Sequence, residues 1–236
     1  MLNLDEGSGA SPRVRPRPIA VRSALAVAAL AVNAVVSALM IREYAWRLDL
    51  LRRVQAHEPF ERADLVASDS FIAFGSTMIV VCFVLTAIAF LAWFYRAQQN
   101  LRAFRAEPFE FTPSQAVWSF FIPFVNLVRP YSVMREVWQA SDPSLPPFAD
   151  MAHPTQGGSP LVLAWWLLFL GRGVIGWAAL VPLAAGRTAE ALTSSARVMM
   201  LCLAVSVGAA LVAATLVVRV MKRQQRLARS LDAVAA

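Results

Sequence analysis

Residues 115–138 read QAVWSFFIPFVNLVRPYSVMREVW, and whether this stretch crosses a membrane decides the architecture of the chain. Its apolar part, 115–128, is interrupted by Pro123 and Asn126. A membrane-crossing helix needs roughly 20 apolar residues at about 1.5 Å each. Reaching that length would draw Arg129-Pro130 and Arg135 into hydrocarbon, where a single arginine costs ~2.5 kcal/mol or more. We therefore read the stretch as a re-entrant or interfacial hairpin and not as a fifth span. Beyond it, Pro130 suits a first helical turn. The following residues put Tyr131, Met134 and Trp138 near one side and Arg135 and Gln139 on the other, an amphipathic pattern suited to a membrane interface.

Outward from this hairpin, four segments are long and apolar enough to cross: 23–41, 71–95, 161–185 and 198–218. Only the third contains a charge, Arg172. A hydrophobic content of 58% and a mean hydropathy of +0.55 agree with an integral membrane protein. The expected fold is all-α, a four-helix membrane bundle plus the hairpin. The first span resembles a signal peptide in following basic residues, but no small-residue cleavage pattern ends it, so an uncleaved helix is expected. Residues 1–18 read as a disordered tail, 19–221 as the membrane domain, 142–160 as a Pro-rich linker, and 222–236 as a basic tail.

The net charge of +7 would suggest nucleic acid in a soluble protein. Here the excess sits at the chain ends without interleaved aromatics, so nucleic acid is excluded and anionic lipid headgroups are the expected partners. Four basic residues precede the first span, five lie between the second and third, and five follow the fourth. Five lie in the first loop and two between the third and fourth spans. The positive-inside rule then places both termini in the cytoplasm.

Arg172 is the sharpest single residue. With Pro160 bounding its helix roughly 18 Å away, it should face the bundle or a wet cavity. Asn33, Glu136, backbone carbonyls or a bound anion are its candidate partners. Gly171, Gly173 and Gly176 would let a neighbouring helix approach closely. At the end of the second span, Arg96 and Asn100 share a helix face. With Asn126, Arg129, Tyr131, Arg135 and Glu136 they form a candidate polar network. Two readings stand: a pocket converging on a polar ligand, or a scaffold that anchors the hairpin.

Cys82 and Cys202 lie in apolar runs and are read as core residues. No H-E-x-x-H, G-x-S-x-G or Walker pattern occurs, and no cofactor or metal is expected. Asp150 and His153 are spaced like solvated surface.

Trp93, Tyr95-Arg96-Ala97, Asn100-Leu101, Thr112-Pro113, Ala116-Val117, Ile122-Pro123, Asn126-Leu127, Arg129-Pro130-Tyr131, Met134-Arg135-Glu136 and Trp138 together resemble domain-of-unknown-function family 4328. This similarity covers about residues 70–220 and includes Trp165-Trp166. The family pattern is usually richer in tryptophan where this chain has Trp118-Ser119-Phe120-Phe121, and Arg172 is no part of the motif. The resemblance implies a multi-pass membrane protein of bacterial, mainly actinobacterial, origin, and supplies no activity. The function expected is a non-enzymatic module of the cell membrane that binds a partner protein, another copy of itself or lipid through its cytoplasmic hairpin. A small transporter or channel subunit with Arg172 in an anion path is the alternative, and a lipid-modifying enzyme a weaker one.

Overall fold

The computed structural model describes residues 15–105, 108–146, 148–149, 159–184, 186 and 188–235. The chain runs through α1 (Ala20–Gln55), α2 (Arg62–Phe104), α3 (Pro113–Trp118), a 3-10 turn (Val125–Leu127), α4 (Arg129–Ala140), α5 (Pro160–Ala178), α6 (Val181–Ala184) and α7 (Ala189–Ala235). No strand occurs among the described residues. Four helices, α1, α2, α5 and α7, are long and apolar enough to cross a membrane. Most of the Pro-rich linker, with Asp150 and His153, lies outside the described residues.

Three of the four overshoot a bilayer. At 1.5 Å per residue α1, α2 and α7 are about 54, 64 and 70 Å long. The hydrocarbon core is only about 30 Å thick. The first loop is therefore mostly helix, and only 56–61 connect α1 to α2. Its polar residues close the protruding hairpin. Buried Glu43 accepts the Ser68 hydroxyl proton at 3.0 Å, Arg47 pairs with Asp69 at 2.5 Å, and Arg53 pairs with Asp49 one turn apart at 2.9 Å. Lower down, Gly75 lets α2 press on α1: a Cβ at this position would stand 2.1 Å from Met40 Sδ.

α1 packs along α7 and α2, and α5 packs mainly along α7. Between α2 and α5 the space is bridged by side chains. Phe90 stacks on Trp165 at 5.8 Å, while Phe120 from the hairpin meets Phe94, Trp166 and Phe169 edge-on. The core is built around Trp93, Phe94, Ala97, Leu101, Val133, Met134, Val137, Leu216 and Val217, where α2, α4 and α7 meet.

Two expectations are corrected here. The third span does not run to 185. It ends at Ala178, turns at Ala179–Leu180 and restarts as α6, because Pro182 has no N–H to continue the ladder and its ring crowds the preceding turn. The apolar side of α4 does not lie on lipid either. Val133, Met134 and Val137 are fully buried in protein, and Tyr131 and Trp138 flank them.

Candidate functional site

The hairpin is a short capped structure. Thr112 and Gln115 form a capping box: the Thr112 hydroxyl accepts the Gln115 N–H at 3.2 Å and the Gln115 side chain accepts the Thr112 N–H at 2.9 Å. Pro113 occupies the first turn. The helix stops at Trp118 ahead of Pro123, and Phe124 takes φ 63°, a left-handed conformation unusual for an aromatic residue. Trp166 Nε1 donates to the Leu127 carbonyl at 3.1 Å and ties the hairpin to α5. The tip turns a run of large apolar side chains outward: Trp118 is 64% exposed, Phe124 85%, and Phe121, Ile122, Leu127 and Val128 are also exposed.

Behind the tip, the predicted polar residues separate into distinct networks. Asn100 Oδ1 accepts the Arg17 N–H at 3.0 Å; its Nδ2 donates to the Arg17 carbonyl at 3.0 Å and to Gln224 Oε1 at 3.2 Å. Gln224 Nε2 donates to the Ala97 carbonyl at 3.0 Å and to the Ser141 hydroxyl at 3.1 Å. One pair of buried amides thereby joins the N-terminal segment, α2, the end of α4 and α7. Glu136 belongs elsewhere. It accepts from Gln98 Nε2 at 2.8 Å and from the Glu110 N–H at 3.0 Å, and Gln98 also reaches the Phe111 carbonyl at 3.0 Å. Burial raises the Glu136 pKa above its ordinary 4.5, and the Gln98 and Glu110 hydrogen bonds oppose that rise.

A third cluster was not read from the sequence. Buried Arg105 donates to the Pro146 carbonyl at 2.9 Å and to the Asp142 carbonyl, holding the chain after α4. Arg223 lies 3.9 Å over the Trp138 ring, donates to the Trp138 carbonyl at 3.1 Å and faces Asp142. Burial alone would raise the Asp142 pKa. Hydrogen bonds from Ser144, with Arg223 and Arg105 nearby, hold it below its usual value.

The remaining candidates do not join these networks. Arg129 is exposed and lies 5.8 Å over the Phe111 ring. The Asn126 side chain and the Arg135 guanidinium make no hydrogen bond with the described residues. Tyr131 packs beside the core. Arg96 sits beside Arg17 and Arg22, and burial together with those two charges lowers its pKa. The expected convergence of Arg96, Asn100, Asn126, Arg129 and Glu136 on one pocket is therefore not formed. Asn100 and Glu136 are consumed by neighbours.

Arg172 does not meet Glu136. Its guanidinium lies 4.5 Å over the Phe83 ring of α2, and its carbonyl accepts the Cys202 thiol at 3.4 Å. Arg172 stands about 9 Å from the end of α5, but helical side chains lean toward the N-terminus. The charge thus reaches Phe83, the midpoint of the apolar run 71–95. A cation–π contact of this kind supplies about 2 kcal/mol when desolvated, comparable to the ~2.5–3.5 kcal/mol that a mid-helix charge costs on insertion scales. Gly171 and Gly173 face open space, contrary to the close approach expected of them, and only Gly176 meets Cys202, at 3.5 Å. Among the described residues, Arg172, Asn33, Thr86 and Ser206 are the polar lining of a cavity of about 310 Å³ between α1, α2, α5, α7 and the hairpin.

Residues 57–222 match the domain of unknown function DUF4328. The chain belongs to this family. The matched region takes in α2 through most of α7, hence the hairpin, Asn100 and Arg172, and leaves out α1, the clamp partners Arg17 and Gln224, and the end of α7. Neither a curated protein nor a solved structure matches the chain. The DUF4328 assignment groups the motif residues without giving any of them a role, so their chemistry rests on the geometry above.

Proposed function

We propose that this DUF4328 protein is a non-enzymatic module of a bacterial cell membrane, with both termini in the cytoplasm, that binds anionic lipid through the hairpin 113–128. The observation that carries this reading is the exposed apolar tip, Trp118, Phe121 and Phe124, beside exposed Arg129. An exposed aromatic cluster on a short hairpin outside the four long helices suits contact with a membrane interface. Aromatic residues prefer the level of the headgroups, and a neighbouring arginine adds about 1 kcal/mol of attraction to an anionic leaflet. Glu136 is occupied by Gln98 and the Glu110 N–H, so binding falls to Arg129 and the tip.

The test is a nitroxide label at Phe124→Cys, with Cys82 and Cys202 replaced by alanine, in phosphatidylglycerol-containing bilayers. Burial in the interface makes the label more accessible to oxygen than to a water-soluble nickel chelate. Preferential access of the chelate would overturn the reading. Arg129→Gln should lower the phosphatidylglycerol retained on purification by about fivefold, from the ~1 kcal/mol that each basic residue contributes.

A further inference from the structure

The cavity around Arg172 is built unlike an ion path. Its walls are Leu30, Phe83, Phe90, Phe120, Phe169 and alanines of α7, and polar groups occur only at a few points. Conduction needs polar groups or carbonyls along the route to replace an ion's hydration shell. Here Thr86 and Ser206 are already engaged, donating to the carbonyls of Ala29 at 3.1 Å and Cys202 at 2.8 Å. Two polar side chains remain. The Asn33 side chain is only 8% exposed and makes no hydrogen bond with the described residues. The Arg172 guanidinium makes no hydrogen bond or ion pair with them and lies over the Phe83 ring. A buried amide and a half-buried guanidinium at one apolar cavity are donors without an acceptor among the described residues.

We propose that this cavity binds a single-chain amphiphile with a carboxylate head, a long-chain fatty acid, entering sideways from the bilayer between α2 and α5. Charge selects the head. One guanidinium neutralises one negative charge, and its planar fork matches a carboxylate in two parallel hydrogen bonds. A phosphate monoester would bring nearly two charges to the middle of the membrane. A two-chain phosphodiester would bring glycerol and headgroup oxygens for which apolar walls hold no donors. The aromatic and alanine walls take the chain. The route follows from the packing: α5 leans on α7 and α2 on α1, while Arg172 over Phe83 spans the gap between α2 and α5. A carboxylate reaching Arg172 exchanges a cation–π contact for an ion pair and opens that gap.

The probe is tritiated palmitate, measured for saturable binding to full-length purified protein in detergent. The expected result is saturation near one per chain. Displacement by unlabelled methyl palmitate should be about ten- to a hundredfold weaker than by unlabelled palmitate, since a hydrogen-bonded charge pair is lost. Arg172→Gln should weaken binding by a similar factor and Arg172→Lys by less. Ala209→Phe, which fills the cavity and leaves Arg172 in the chain, should abolish binding. Displacement by methyl palmitate as effective as by palmitate overturns the pairing with Arg172. Displacement by dioleoylphosphatidylglycerol but not by palmitate assigns the cavity to two-chain lipid and overturns the proposal. So does absence of saturable binding together with chloride flux in liposomes that Arg172→Gln removes. The hairpin reading under Proposed function stands or falls separately, because it is read from the Phe124 label and not from palmitate.

Discussion

Asn100 and Gln224 lie 124 positions apart in the chain and form the hydrogen bond that closes the bundle at one end. Cutting either side chain to alanine strands a buried partner, so Asn100→Ala and Gln224→Ala should each destabilise by about 1–3 kcal/mol. The double variant should lose less than the sum, with a coupling of about 0.5–3 kcal/mol measured by unfolding in detergent; strict additivity would show the bond to be idle. Glu136 makes a prediction of opposite character. Burial raises its folded-state pKa above the ordinary 4.5, so between those two values the native protein holds a proton that the unfolded chain has released. Its contribution to stability therefore declines as pH rises through that window. Glu136→Gln has no such proton. The stability difference, wild type minus variant, should fall as pH rises above the ordinary 4.5 and level off above the raised folded-state pKa, and a flat difference would contradict the burial effect. Asn100 and Glu136 were visible in the sequence as polar residues beside apolar runs. Their partners, Gln98, Gln224 and the Arg17 main chain, were not, because a pairing across folded helices leaves no periodic trace in one sequence. Arg105 and Arg223 were missed for a related reason: each looks like an ordinary cytoplasmic basic residue until the loop at Asp142 folds around it.

Apolar composition and length made the four long helices legible, and the limit of about 20 residues separated the hairpin from the spans. The ends of the elements were less legible. Apolar composition continues past Ala178, and only Pro182 marks the break before α6. The start of α2 outside the apolar run was hidden, because residues 62–70 read as loop instead form a helix paired with α1 through Arg47–Asp69 and Glu43–Ser68. Helix contact gives the sharpest prediction at this scale. Gly75 lies where Met40 Sδ leaves no room for a Cβ, and Met40 is itself buried. Gly75→Ala should destabilise by about 1–3 kcal/mol through overpacking, although alanine is the better helix former. Pairing it with Met40→Ala should recover part of that loss, and an additive double variant would mean that α1 and α2 shift apart without cost.

At the scale of the whole molecule, the crossings and the hairpin must agree on which side each connection lies. Four spans place the turn at Glu58 on one side, and the loop at Ser144 and the end of α7 at Asp232 on the other. The amide clamp requires the same grouping, because Arg17, Asn100, Ser141 and Gln224 meet at one end of the bundle. Basic residues are denser at that end, and the positive-inside rule therefore predicts a cytoplasmic placement for it. Single cysteines at Glu58, Ser144 and Asp232, with Cys82 and Cys202 replaced by alanine, can be labelled with a membrane-impermeant maleimide in oriented vesicles. Ser144→Cys and Asp232→Cys should react from the cytoplasmic face and Glu58→Cys from the opposite face. Had 115–128 crossed the bilayer, Ser144 and Asp232 would both move to the side of Glu58, and all three would react together. The same three labels therefore decide the reading of QAVWSFFIPFVNLV and the orientation of the charge that surrounds it.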